Sequence, residues 1–338
     1  MTIGILTAIA AGIMLGLYAL PEKYARDFEF ENTWGMMFFI NMLIVPIIAC
    51  LLLVNDFGGI LGSLSGEIYL KMGIAALAWG VGVMLWGKAI NYIGLSLGFS
   101  IFIGTVILVG SLLPFLVDEL PASNVLYTIL GGLLVVLIGI VANGKAGMVR
   151  QSDEINAEAS DATQGSMGTG IAIAVGGGLL ATGFSYANAA GRPAIHEASQ
   201  AAGNPEWVTA VVVMFVIYVA GALFVMPYFY YQLTKKGFWS KFKTPALGRN
   251  MMLTSIMGIL NFAASVTFAY AAYQLGKAGN TVGYAIFNTV CVAVAILTGL
   301  FTGEWAKASG KAKTLLYVGL AAMVAGVLVI AAGNGMTT

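Results

Sequence analysis

Histidine occurs once in this 338-residue chain, cysteine twice and proline eight times, and charged residues make up only 9%. Each scarcity excludes something. One histidine and two widely separated cysteines supply neither a metal-ligand cluster nor the nucleophile and base that an intramembrane enzyme needs, so no enzyme and no metal are expected. Cys50 and Cys291 fall inside apolar runs, where a thiol behaves as a small buried hydrophobe rather than half a disulfide. There is no GxxxxGK[ST] phosphate loop, which argues against ATP-driven work by this chain, and no cofactor is called for. Net charge is +1 with the basic residues scattered over loops, so nucleic acid is not a partner.

What is abundant is apolar surface. The chain is 59% hydrophobic with a mean hydropathy of +0.90, whereas soluble domains carry about a quarter charged residues. With 44 glycines and long apolar runs, it reads as an all-α integral membrane protein whose helices approach closely through small residues, not as a β-barrel. Runs of about 18 or more apolar residues predict ten transmembrane helices, near 2–20, 33–54, 67–87, 93–117, 124–142, 168–190, 205–232, 250–275, 281–302 and 313–333. The first has no basic n-region and no small-x-small site before Pro21, so it reads as a span, not a cleaved signal. One polar insert, 143–167, separates 1–142 from 168–338 with five spans on each side.

The two halves resemble each other. Pro21 and Trp34 match Pro193 and Trp207, AINYIGLS from Ala89 matches AAYQLGKA from Ala271, and the fifth and tenth spans share a terminal Asn-Gly at Asn143 and Asn334. An odd number of spans in each half makes the second insert upside down, giving two inverted five-helix repeats with a site near the midplane between them. All of the 16 basic residues except Lys71, Arg192 and Lys277 lie on odd-numbered loops. The positive-inside rule therefore puts those loops in the cytoplasm and both termini outside a bacterial inner membrane. A lipid bilayer is the obligate partner, and a monomer or homodimer is expected.

The stretch Gly183–Glu197, GFSYANAAGRPAIHE, departs from plain hydrocarbon and contains the single histidine, His196. It reads as an interrupted helix with chemistry at its end, near the external face. All 15 carboxylates fall at or beyond span ends, which leaves His196, Glu197, Glu31 and Glu67 as groups able to carry a proton, with Arg192 beside them as a gating charge. Imidazole changes charge between about pH 5 and 8 without help from its surroundings. The structural alternative is that Pro193 starts a short helix, Glu197 pairs with Arg192 and His196 packs on the bundle.

Further motifs are WGVG at Trp79–Gly82, YIGLSLGFSIFIG at Tyr92–Gly104, GFSYANAAGRPAIHEA at Gly183–Ala198 and GEW at Gly303–Trp305. Through these, and through its length, span count and central linker, the chain resembles the L-rhamnose/proton symporters of the drug/metabolite transporter superfamily. It departs from them after WGVG, where Val83, Met84, Leu85 and Trp86 replace a more polar segment, and at Asn280, Tyr284 and Asn288. The resemblance implies a ten-helix carrier in which spans one to four and six to nine enclose the pathway, while five and ten pack outside. It implies uptake of L-rhamnose or a similar deoxyhexose with a proton; export or exchange of another small metabolite, also found in the superfamily, is the second reading.

A sugar site needs aromatic faces for C–H groups and amides for hydroxyls. The spans that would supply it carry Tyr18, Trp79, Trp86, Asn91, Tyr186, Asn188, Tyr270, Gln274, Tyr284 and Asn288. Amides inside spans must find partners, so Asn41, Asn188, Asn261 and Asn288 are candidates to line the interior.

Overall fold

A run of some twenty apolar residues in a bilayer has no water to bond its backbone, so every N–H and C=O must be satisfied within the segment, as a helix does. The computed structural model describes residues 2–112, 122–157, 167–276, 279–303 and 305–335, and the extended regular elements among them are all helical. In chain order they are α1 (Thr2–Leu17), α2 (Phe30–Phe39), α3 (Val45–Leu53), α4 (Phe57–Ser63), α5 (Gly66–Leu112), α6 (Ser123–Ala157), α7 (Met167–Ala181), α8 (Gly183–Ala201), α9 (Glu206–Lys236), α10 (Leu247–Gln274), α11 (Tyr284–Phe301) and α12 (Gly310–Gly335). Among the described residues nine helical stretches are long and apolar enough to cross a membrane. Glu304 of the GEW motif, the end of the fourth expected span at 113–117, and 158–166 of the linker lie outside the described residues; before them, α6 carries the chain as helix to Ala157.

Proline sets some of the local geometry. Pro46 has no N–H for the carbonyl four residues back and its ring crowds that turn. The turn just upstream, Ile40–Ile44, is widened to a π-helical one, and α2 and α3 run on through it as a single crossing. Pro193 behaves differently from expectation. It lies inside α8, which continues unbroken from Gly183 to Ala201. The interruption comes eleven residues earlier, at Thr182, whose N–H and hydroxyl both bond to the Leu179 carbonyl, at 3.3 and 2.6 Å. This local tightening ends α7, and Pro193, exposed on α8, only forfeits one backbone bond.

No proline occurs between Pro46 and Pro114, and α5 accordingly stays helical over 47 residues, across the junction expected between spans three and four. It is not straight. Trp86 and Phe102 would be about 24 Å apart on a straight helix, yet their ring centroids lie 5.9 Å apart. Gly177 approaches the Leu85 side chain and the Phe102 ring at once, within 3.1 and 3.4 Å of an added Cβ, while Gly170 faces Tyr92 and Ile93. The chain therefore doubles back between Ile93 and Phe102, the stretch that contains Gly94 and Gly98. Glycine is a usual place for a sharp helix bend.

The chain forms two compact units, each built from segments of both halves. The first comprises Met1–Gly12, Gly82–Thr182 and Ala271–Thr338. Its apolar core joins Ala8, Ile107, Val136, Ile140, Ile286 and Met323. α6 and α12 run antiparallel along each other: a Cβ at Gly132 would come within 2.9 Å of the Gly326 carbonyl, and one at Gly139 within 2.6 Å of the Gly319 carbonyl. At one end Ser309 N–H donates to Asp153 at 3.3 Å, and the Arg150 guanidinium lies 5.1 Å over Trp305. Gly139→Leu is expected to force this contact apart and destabilise the protein by about 1–3 kcal/mol, measured as a fall in the thermal midpoint of the purified chain.

The second unit comprises Ile13–Val81 and Gly183–Tyr270. Its centre is α9, apolar on every side and the most deeply buried of the crossings, as an all-round apolar helix should be. At one end Asn250 grips Arg26, accepting from its N–H at 3.1 Å and donating to its carbonyl at 2.7 Å, while Glu31 pairs with Lys236 and Glu29 with Lys241. At the other, Asn204 accepts from Asn55 N–H at 2.8 Å and donates to the Asn55 carbonyl at 3.0 Å.

Candidate functional site

α8 is the most amphipathic helix of the second unit, and its buried face carries Phe184, Asn188, Gly191, Ile195 and Ser199 at spacings of three and four. This face lies on the first turns of α5. An added Cβ at Gly183 would strike the Ala75 carbonyl and one at Gly191 the Met72 thioether, so both glycines permit the approach. Above Ala75 stands Trp79. Its ring is 5.5 Å from Phe184 and 5.2 Å from Tyr218, and Gly221 of α9 clears the space beneath it.

Tyr218 begins a polar chain. Its hydroxyl donates to Asn261 Oδ1 at 2.8 Å and meets the Ser265 hydroxyl at 2.6 Å, and Asn41 Nδ2 donates to the same Asn261 oxygen at 3.0 Å. Asn41 lies in the widened turn of the second crossing, and π turns of this kind often accompany functional sites. Asn41 is 1% exposed and its Oδ1 is left without a hydrogen-bond partner. Asn188 is fully buried and neither its oxygen nor its nitrogen has one. Counted from the end of the unit that Asn204 clamps, Trp79, Asn188, Tyr218 and Asn41 all lie about 18–20 Å deep. They form a layer at one depth of the unit, and the hydrocarbon core of a bilayer is about 30 Å thick.

The remaining expected site residues divide. Tyr18 packs edge-on against Trp34 at 5.9 Å, below the layer. Tyr186 is 46% exposed, two positions from Asn188 and so on the opposite side of α8; the structure does not turn it inward beside Asn188. Tyr270 is the half-buried last residue of this unit. Trp86, Asn91, Gln274, Tyr284 and Asn288 belong to the first unit. There Gln274 Oε1 accepts from Thr7 at 3.0 Å, Asn288 donates to the Tyr284 carbonyl at 2.9 Å one turn back, and the Tyr284 ring packs against Gly110.

The charged candidates separate to the two ends of the second unit. His196 is half-buried, with Nδ1 3.1 Å from the Thr209 hydroxyl of α9. Arg192 donates to the Ala269 carbonyl at 3.4 Å, and Glu197 is exposed. Glu31, 12% exposed at its side chain, is paired with Lys236 at the far end, so it is not part of the histidine group. Tyr218, Ser265 and Thr209 were not singled out from sequence. Their partners are remote along the chain, and the one local signal is that Asn261 and Ser265 stand at i, i+4 on one face of α10. Among the described residues no group of three or more metal-ligating side chains forms.

The whole chain, residues 1–338, matches the family of the L-rhamnose-proton symport protein (RhaT). It is 25% identical to the L-rhamnose-proton symporter of Cronobacter sakazakii, over all of this chain and 98% of that protein. It is 24% identical to the proteins of the same name from Yersinia pestis and Yersinia pseudotuberculosis, over 98% of this chain and 97% of each of them. A match that leaves no part of the chain unaccounted for, joined to a helical membrane architecture, places this protein in the L-rhamnose-proton symport protein (RhaT) family.

Proposed function

We propose that this chain is a multi-pass inner-membrane symporter that takes up L-rhamnose, or a closely similar deoxyhexose, together with a proton. The observation that carries the reading is the family match over all 338 residues. The buried layer of amides, hydroxyl groups and an indole supports it, because a carrier of a polyhydroxylated ring needs polar partners at mid-depth.

The chain crosses the membrane ten times, as inverted five-helix repeats in 1–142 and 168–338 joined by 143–167. Four features support this. The reversal within α5 is what a tenth crossing needs, and the apolar stretch Ile101–Gly110 follows it. The bonded loop pairs, first with seventh, fifth with ninth and second with sixth, each join loops of one parity, as a membrane requires. The fifth and tenth crossings pack antiparallel. Each compact unit takes corresponding pieces of both halves. Both termini lie outside, from the charge of the loops.

Trp79 and Asn188 are the substrate-contacting residues this layer favours, with Tyr18 and Tyr270 at its margins; His196, with Arg192 and Glu197 near it, forms the proton entrance, and Glu31–Lys236 a latch at the cytoplasmic end. Trp86, Asn91, Gln274, Tyr284 and Asn288 remain candidates in the first unit, and Tyr186 one at the outer mouth. Counterflow in proteoliposomes tests the assignment. Saturable exchange of labelled L-rhamnose but not glucose is expected; flux of drugs or amino acids without any sugar flux would favour the exporter or exchanger reading.

A further inference from the structure

We propose that the sugar's hydroxyl groups are read by the unpartnered amide of Asn188 and by the free Oδ1 of Asn41, with the Asn41–Asn261–Tyr218–Ser265 chain fixing the second, and that Trp79 carries the ring's C–H face. The proposal rests on the transport reading and adds the residues that would discriminate one sugar from another.

Among the described amides Asn41 and Asn143 each bury one unpartnered oxygen, Asn143 in the first unit, whereas Asn188 buries both of its side-chain polar atoms unpartnered. A buried amide with no partner costs about 1–3 kcal/mol for each unsatisfied group, and Asn188 has two such groups at full burial. One turn away on α8 stand Phe184, Ser185, Gly191 and Arg192, and none of them hydrogen-bonds its amide. A leucine of similar size would fill the position without that cost. An amide kept under such a penalty is explained by a polar ligand that satisfies it.

The free valences define the ligand's chemistry. Asn188 offers one acceptor and two donors. At Asn41 the nitrogen is engaged with Asn261, so what it presents is the acceptor Oδ1. Asn261 in turn is held because its oxygen accepts from both Asn41 and Tyr218, and Ser265 braces the tyrosine hydroxyl. Together the two neutral amides present two acceptors and two donors, a balance that suits vicinal hydroxyls, which both donate and accept. They suit a carboxylate or an ammonium group poorly. Trp79 touches Phe184, one turn before Asn188 on α8, and Tyr218 in the polar chain that ends at Asn41, so it joins the two elements that carry the amides. An indole face is a good surface for the axial C–H groups of a pyranose.

The test uses the purified full-length chain and measures affinity for L-rhamnose and for its mono-deoxy analogues by tryptophan fluorescence, with the thermal midpoint of each variant. Asn188→Leu is expected to weaken L-rhamnose binding at least tenfold while the thermal midpoint stays level or rises. In the same variant, one deoxy analogue should bind as well as L-rhamnose, because the hydroxyl it lacks no longer has a partner. Asn41→Leu and Tyr218→Phe are expected to weaken binding about five- to tenfold and to remove the penalty at a different hydroxyl. If Asn188→Leu and Asn41→Leu bind L-rhamnose and all analogues as the parent does, the proposal is overturned while transport stands. If the parent binds no monosaccharide, the transport reading falls and the proposal with it. Tyr218→Phe provides the reading should either leucine variant fail to fold, since it removes a single oxygen.

Discussion

Trp79→Ala is expected to abolish L-rhamnose counterflow and to lower the stability of the protein by about 3 kcal/mol, the lower end of the range for removing a large aromatic side chain because the residue is half-buried. Both effects follow from its position. Its ring joins Phe184 of α8 to Tyr218 of α9, and Gly221 is bare where the ring lies. Truncation would leave a cavity among three helices and take away the apolar face proposed for the sugar ring. Trp79→Phe should restore most of the stability, since a smaller ring still bridges the two contacts, but only part of the transport. The measurements are the thermal midpoint in detergent and the initial rate of counterflow. A folded alanine variant that exchanges sugar at the parental rate would remove Trp79 from the site.

An inward pH gradient should drive accumulation of L-rhamnose in vesicles, about tenfold for each pH unit if one proton accompanies each sugar, because one unit corresponds to 1.36 kcal/mol. His196→Gln should abolish that accumulation yet preserve counterflow. The physical basis is the bond to Thr209. A neutral ring can accept there from the hydroxyl, whereas an imidazolium can only donate, so protonation reverses the polarity of the contact between α8 and α9. His196 and Asn188 are about two turns apart on the same helix, some 12 Å, which lets a change at one reach the other through a rigid element. Glu197 and Glu206, exposed at the same end, should matter less, and Glu197→Gln is expected to slow coupling without eliminating it. Stimulation of uptake by sodium at constant pH, with no alkalinisation of the medium on adding sugar, would sink the proton assignment.

Membrane class, the positions of the apolar runs, the distribution of basic residues and the unusual polarity of the Gly183–Glu197 stretch were all legible along the chain. Hydropathy and loop charge are sums over neighbouring residues, and they need no knowledge of what folds against what. The burial of Asn188 was also legible, because an amide within an apolar run faces the bundle interior more readily than lipid. The location of the break was not. Proline at 193 is the stronger local signal, but Thr182 has a hydroxyl and an N–H that converge on one carbonyl, a competition decided only by actual backbone geometry. The junction of spans three and four likewise has no proline to mark it, and the chain turns there while remaining helical.

Which side chains share a site was decided by tertiary structure alone. Tyr186 and Asn188 are two residues apart and point to opposite sides of α8. Asn41 and Asn261 are separated by 220 positions and bond at 3.0 Å. A linear reading finds the polar residues an apolar chain can least easily hide; the packing of helices from both halves determines which of them satisfy one another and which, as at Asn188, are left without a partner.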